Sequence, residues 1–214
     1  MMNEISKRIF TSFLLVIILF FSIKNILILL LVLFVILFLL INEFNFIYSK
    51  IFNKKKVFHF ILIFLTLLYL SYFILSIFFY LNSDINNKEV IFLFIISISI
   101  STDIGGYVFG KTFKGKKLTK ISPNKTYSGM IGSFVLSILV AFLIFKNINL
   151  TLNYLLITII ISCISQVGDL LISFLKRKAK IKNTGLILPG HGGLLDRLDG
   201  IIFALPLGLI LTNM

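Results

Sequence analysis

The sequence predicts an all-α, polytopic integral membrane protein, and three observations predict it. Hydrophobic residues make up 58% of the 214, charged residues 14%, and the mean hydropathy is +1.07; soluble domains lie nearer ~45–50% apolar and ~25% charged. The apolar residues gather into seven runs, and a helix needs ~20 such residues to cross ~30 Å of hydrocarbon. The basic residues between runs alternate between few and many. Together these exclude a soluble globular domain, a disordered chain and a nucleic-acid module, so the net charge of +13 reads as positive-inside bias and attraction to anionic headgroups.

The runs cover about 9–23, 26–42, 57–81, 90–109, 129–145, 149–175 and 194–212. Lys7 and Arg8 before the first imitate a signal peptide, but no small-x-small site follows Ile23, so the run is read as an uncleaved helix. Only Lys24-Asn25 separates it from the second, which predicts a tight hairpin. Basic residues in the tail and the successive gaps number 2, 1, 4, 1, 6, 1 and 6. Under the positive-inside rule the N-terminus is cytoplasmic, about seven helices span, and the loops 110–128 and 176–197 face the cytoplasm. Residues 1–89 are nearly featureless hydrocarbon and read as an anchor; residues 90–214 carry the polar information and read as the working part. Cys163 lies in an apolar run, and as the single cysteine it forms no intramolecular disulfide.

Of eight acids, Glu4, Glu43, Asp84 and Glu89 are read in tails or gaps, where a carboxylate is tolerated. Asp103, Asp169, Asp196 and Asp199 lie within or at the edge of apolar runs, where one is retained only if paired or lining a wet cavity. Ser162, Gln166, Asp169, Ser173 and Lys176 recur every three or four residues and form one polar helix stripe. Asp196 and Asp199, three apart, predict a shared face at the start of the last helix. Two such stripes could converge on a divalent cation such as Mg²⁺, which takes oxygen ligands and bridges carboxylates to phosphates. The alternative is that these acids pair with Lys176, Arg177 or Arg197, and charge placement leaves both readings open.

Residues 101–132 read STDIGGYVFGKTFKGKKLTKISPNKTYSGMIG. Glycines that admit close backbone approach, with lysines among them, suit a polyanion. Lys114, Lys116 and Lys117 read as topology-setting charges; Lys125, in a turn with Ser122 and Thr126, reads as a phosphate ligand. Residues 185–200 read GLILPGHGGLLDRLDG. Here a glycine turn containing His191, Gly192 and Gly193 leads into a helix N-terminus, which favours anions.

These residues resemble a known family, the phosphatidate cytidylyltransferases (CDP-diacylglycerol synthases). Its C-terminal signature reads here from Ser173 to Asp199 as SFLKRKAKIKNTGLILPGHGGLLDRLD, matching at every fixed position but Asn183, where the family has Asp. Gln166–Leu170 resembles its S-Q-x-G-D-L element, Ser101-Thr102-Asp103 with Gly106-Tyr107 its A-D-T-x-A-Y region, and Ile121–Thr126 its I-S-P-x-K-T element. The resemblance covers about residues 95–205. Ser128 and Ile172 are further positions where the family carries an acid.

The resemblance implies transfer of cytidylate from CTP to phosphatidate, giving CDP-diacylglycerol and pyrophosphate. It implies Mg²⁺ held by Asp169 and Asp196, with Asp199 beside them, and catalytic roles for Asp169, Asp196, Lys176 and Arg197. Substrate binding falls to Asp103, Ser122, Lys125, Ser173, Arg177, Lys182, His191, Gly192 and Gly193. The implied partners are CTP, phosphatidate, the bilayer and, as an option, a second copy of the chain, with no nucleic acid. The implied place is the bacterial inner membrane with the site facing the cytoplasm. A CTP-dependent lipid-alcohol kinase of related architecture and a membrane transporter are the alternatives.

Overall fold

The computed structural model describes residues 4–53, 55–119, 122, 125–145, 152–185, 187, 189 and 192–212. Among these the chain is helical, with no β-strand and an isolated bridge between Lys117 and Thr126. The helices are α1 (Glu4–Lys24), α2 (Ile26–Ile51), α3 (Lys56–Leu81), α4 (Lys88–Phe113), α5 (Tyr127–Phe145), α6 (Leu152–Lys178), α7 (Leu195–Leu198) and α8 (Ile201–Leu211). Among the described residues five helices, α2 to α6, are long and apolar enough to cross a membrane; α8 is a shorter apolar helix. Large apolar side chains face outward along α1 to α3, among them Phe34 and Phe60 at 68% and 73% exposure. Such a surface suits lipid, which is as apolar as the side chains themselves. The chain is therefore a multi-pass membrane protein.

The first compact unit contains α1, α2, α3, the end of α6 from Leu175, and the chain onward to Leu198. The α1–α2 hairpin turns at Asn25, whose Oδ1 accepts from the N–H groups of Leu27 at 2.9 Å and Ile28 at 3.3 Å, capping α2. The helix does not end with its apolar run at 42 but continues to Ile51. Glu43, read as a gap residue, is thus a helical residue only 3% exposed. The reason is that its carboxylate finds donors far along the chain, described below.

The second unit contains α4, α5, α6 to Phe174, and the chain from Asp199 through α8. Its α4–α5 hairpin packs through glycine. A Cβ on Gly105 would stand 2.5 Å from the carbonyl oxygen of Gly132, and one on Gly129 2.7 Å from that of Gly106. Small residues let helix backbones approach this closely. The glycines of 101–132 were expected to admit a phosphate; these four lie inside helices and admit the neighbouring helix. The helices also shorten the expected 110–128 loop to the stretch between Phe113 and Tyr127.

Asp196 and Asp199 do not share a helix face as expected. Asp196 belongs to the four-residue α7, while Asp199 sits in the turn before α8, buried and accepting the N–H of Gly200 at 3.0 Å.

Candidate functional site

In the second unit the α4–α5 connection folds back on itself. The N–H of Leu118 donates to the carbonyl of Lys125 at 2.8 Å, and that of Tyr127 to Lys116 at 3.1 Å. Thr126 then opens α5, its Oγ1 accepting from the N–H of Gly129 at 3.1 Å. This fold-back carries Ser122 and Lys125 to the wall of a cavity of about 280 Å³. The same cavity is lined by Asp103 and Gly106 from α4, Gly129 and Ser133 from α5, and Gln166, Asp169 and Ser173 from α6. Three separately read sequence elements thus meet around one space.

On its wall Lys125 forms an ion pair with Asp169, and the hydroxyl of Ser173 donates to the same carboxylate at 3.3 Å. The two charged side chains are 26% and 24% exposed, enough for both to meet an incoming ligand. On the α6 stripe Gln166 Nε2 lies 3.5 Å from Ser162 Oγ, so the expected i, i+4 face is present through Ser173. Two carboxylates, Asp103 and Asp169, with the hydroxyls of Ser122 and Ser173, make a donor set of oxygen atoms, the kind hard cations take.

The first unit holds the other half of the residues read from sequence. Lys176 donates to Asp196 Oδ1 at 2.8 Å; Asp196 Oδ2 accepts from the N–H of Thr184 at 2.9 Å and of Gly193 at 3.1 Å. Burial pushes the Asp196 carboxyl up, but the Lys176 ammonium and these two N–H groups outweigh it and hold the group below the ordinary value of 3.8. Of the two readings left open for Asp196, the structure displays pairing with Lys176. A carboxylate with these donors on both oxygens has little acceptor capacity left. Among the described residues no three His, Cys, Asp or Glu side chains are grouped to hold a metal ion.

The expected anion site at the start of the last helix is filled from within the chain. Glu43 Oε1 accepts from the N–H of Leu194 at 2.7 Å, and Oε2 from that of Leu195 at 2.9 Å. The Thr184 hydroxyl lies 2.5 Å from Glu43 Oε2 and 3.2 Å from Asp196 Oδ2, so it sits between the two acids. The turn is glycine because nothing larger fits: Gly192 has φ +90°, and a Cβ on Gly193 would stand 2.0 Å from Thr184 Oγ1 and 2.6 Å from Glu43 Oε2. Arg177, Lys182 and Arg197 are exposed. His191 lies outside the described residues. Of the positions departing from the family pattern, Ile172 is a core residue at 1% exposure, and Ser128 donates to the carbonyl of Lys114.

Glu43 and Thr184 are the residues that reading the sequence missed. Position 43 looked like the end of a run, and its partners are backbone N–H groups, which carry no residue signature.

Residues 2–214 match the family model described as the cytidylyltransferase family. The chain belongs to this family. Proteins named phosphatidate cytidylyltransferase align with 110 of its residues: that of Staphylococcus haemolyticus (strain JCSC1435) is 46% identical, and those of Staphylococcus saprophyticus and Staphylococcus aureus (strain COL) are each 48% identical. In each case the alignment covers 50% of this chain and 42% of the relative. The chain thus spans under half the length of these curated relatives in alignment.

Proposed function

We propose that this cytidylyltransferase-family chain transfers cytidylate from CTP to phosphatidate. A phosphate oxygen of the lipid attacks the α-phosphorus of CTP, the bond to the β-phosphate oxygen breaks, and CDP-diacylglycerol and pyrophosphate are released. The observation that carries this reading is the Lys125–Asp169 pair, set in a hydroxyl-lined cavity on the elements that resemble the family's own.

Both reactants are anions, so the protein's task is to suppress repulsion and align the groups. Lys125 contributes an ammonium that can move from Asp169 to a phosphate oxygen; Ser122 and Ser173 contribute hydroxyls. Lys176, Arg177, Lys182 and Arg197 add positive charge for phosphates of CTP or the lipid, and His191 with Gly192 and Gly193 belongs to the same proposal. No general base is required, because a phosphate monoester with its second pKa at about 6 is already nucleophilic at neutral pH.

Mg²⁺ is the cofactor proposed, and it would neutralise triphosphate charge. Asp169 would hold it, and the oxygen donors around the cavity suit that ion. The share of Asp196 and Asp199 in holding it rests on the resemblance alone. The same reading includes about seven spans, a cytoplasmic N-terminus and a site facing the cytoplasm of a bacterial inner membrane, supported by the alternation of basic gaps.

The test is an incubation of purified protein with phosphatidate, Mg²⁺ and CTP labelled at either the α- or the γ-phosphate. Cytidylyl transfer places only the α label on lipid. A γ label on lipid would instead indicate phosphoryl transfer, as in a lipid-alcohol kinase, and overturn the proposal.

A further inference from the structure

We infer that Glu43, in the hydrocarbon-rich first part of the chain, is a positioning residue for nucleotide binding. The inference rests on the cytidylyl-transfer reading above. Glu43 is 3% exposed, and Thr184, which it meets through the hydroxyl, is 2% exposed. Its two carboxylate oxygens take the N–H groups of Leu194 and Leu195 and lie against the Thr184 hydroxyl. Thr184 in turn gives its N–H to Asp196, which holds Lys176. One carboxylate therefore fixes both ends of the segment from Thr184 to Leu195, and with it the start of the short helix carrying Arg197.

The chemistry requires an acid at this place. Among the described residues the three groups bonded to Glu43 are all donors, so a carboxylate, which only accepts, satisfies all of them. An amide would turn its own N–H₂ toward one of those donors. The glycine contacts agree: a Cβ on Gly185 would stand 3.2 Å from Glu43 Oε1 and one on Gly193 2.6 Å from Oε2, so glycine at both positions leaves room for this side chain. A residue needed only for membrane anchoring would have no reason to sit among the backbone donors of a segment from the far end of the chain. Glu43 touches no reacting atom in this account; it acts through the cations that the segment presents.

The experiment uses the full chain in detergent and compares wild type with Glu43→Gln, Thr184→Val, Thr184→Ser and the double variant Glu43→Gln/Thr184→Val. Losing a buried charge-assisted bond should raise the KM for CTP about tenfold or more, while the KM for phosphatidate moves less than about threefold. Thr184→Ser keeps the hydroxyl and should restore the KM for CTP to within about threefold of wild type. The double variant should be less damaged than the product of the singles, because both break one network. Hydrogen exchange at the Leu194 and Leu195 amides should speed about tenfold or more in Glu43→Gln. An unchanged KM for CTP, equal losses for both substrates, or Thr184→Ser as damaging as Thr184→Val would overturn the inference. A wild type silent in transfer would instead refute the parent reading, with hydrogen exchange still deciding whether Glu43 holds the segment.

Discussion

Lys125, just before α5, and Asp169, midway along the polar stripe of α6, form an ion pair on the wall of a hydroxyl-lined cavity. Each is about a quarter exposed, which decides what the pair is for. A pair this accessible contributes only about 0–1 kcal/mol to stability. Its energetic value lies in what the two charges do when a polyanion arrives.

Lys125→Ala should therefore leave the thermal midpoint in detergent nearly unchanged, while cytidylyl transfer falls about 100-fold or more, the scale of losing one charged donor to a reacting phosphate. Lys125→Arg should recover part of the rate, because charge is kept but the compact ammonium is not. Paired thermal melts and initial rates measure both; a large fall in the midpoint with rate per folded molecule preserved would assign the pair to structure.

Gly129 gives a contrasting prediction, for stability. Gly129→Ala places a Cβ 2.7 Å from the backbone oxygen of Gly106, an atom that cannot swing away. Separating α4 from α5 should cost about 1–3 kcal/mol, the usual range for overpacking. Gly110→Ala should cost less, since the nearest atom, Thr126 Oγ1 at 3.1 Å, ends a side chain that can turn. Thermal unfolding of the two variants side by side measures the difference.

The Asp196 tie should survive mild acid. Its carboxyl is held below 3.8 in the folded chain, so the unfolded state binds the proton first. The stabilisation is fully present above that ordinary value and is lost only as pH falls through the lower folded value. The difference in thermal midpoint between wild type and Asp196→Asn should thus be constant from pH 7 to about 5 and shrink only near and below the ordinary carboxylate range. A difference that vanished between about pH 6 and 5 would contradict this ordering.

The sequence alone made much of this visible, for identifiable reasons. Apolar runs bounded by lysines became helices because period and length leave few alternatives. The stripe of Ser162, Gln166, Asp169 and Ser173 was legible because helical spacing brings such residues to one face. Lys125 stood out because its turn gathers polar groups between two long apolar stretches. Glu43 was not legible: its partners lie more than 140 residues away and are mostly backbone. The packing role of the helical glycines was not legible for a related reason, since a glycine that admits a ligand and one that admits a helix look the same in one dimension. For Asp196 the sequence named Lys176 as one partner, but not Thr184 and Gly193, whose backbone N–H groups donate to the same side chain.

The most direct measurement is pyrophosphate release by purified wild type and Asp169→Asn, each with CTP, phosphatidate and Mg²⁺, and each repeated after chelation. Wild type should release pyrophosphate only when all three are present, and Asp169→Asn should be slower by about 100-fold or more while still inserting in the membrane. Asp169→Asn turning over at the wild-type rate, or wild type indifferent to chelation, would contradict the account.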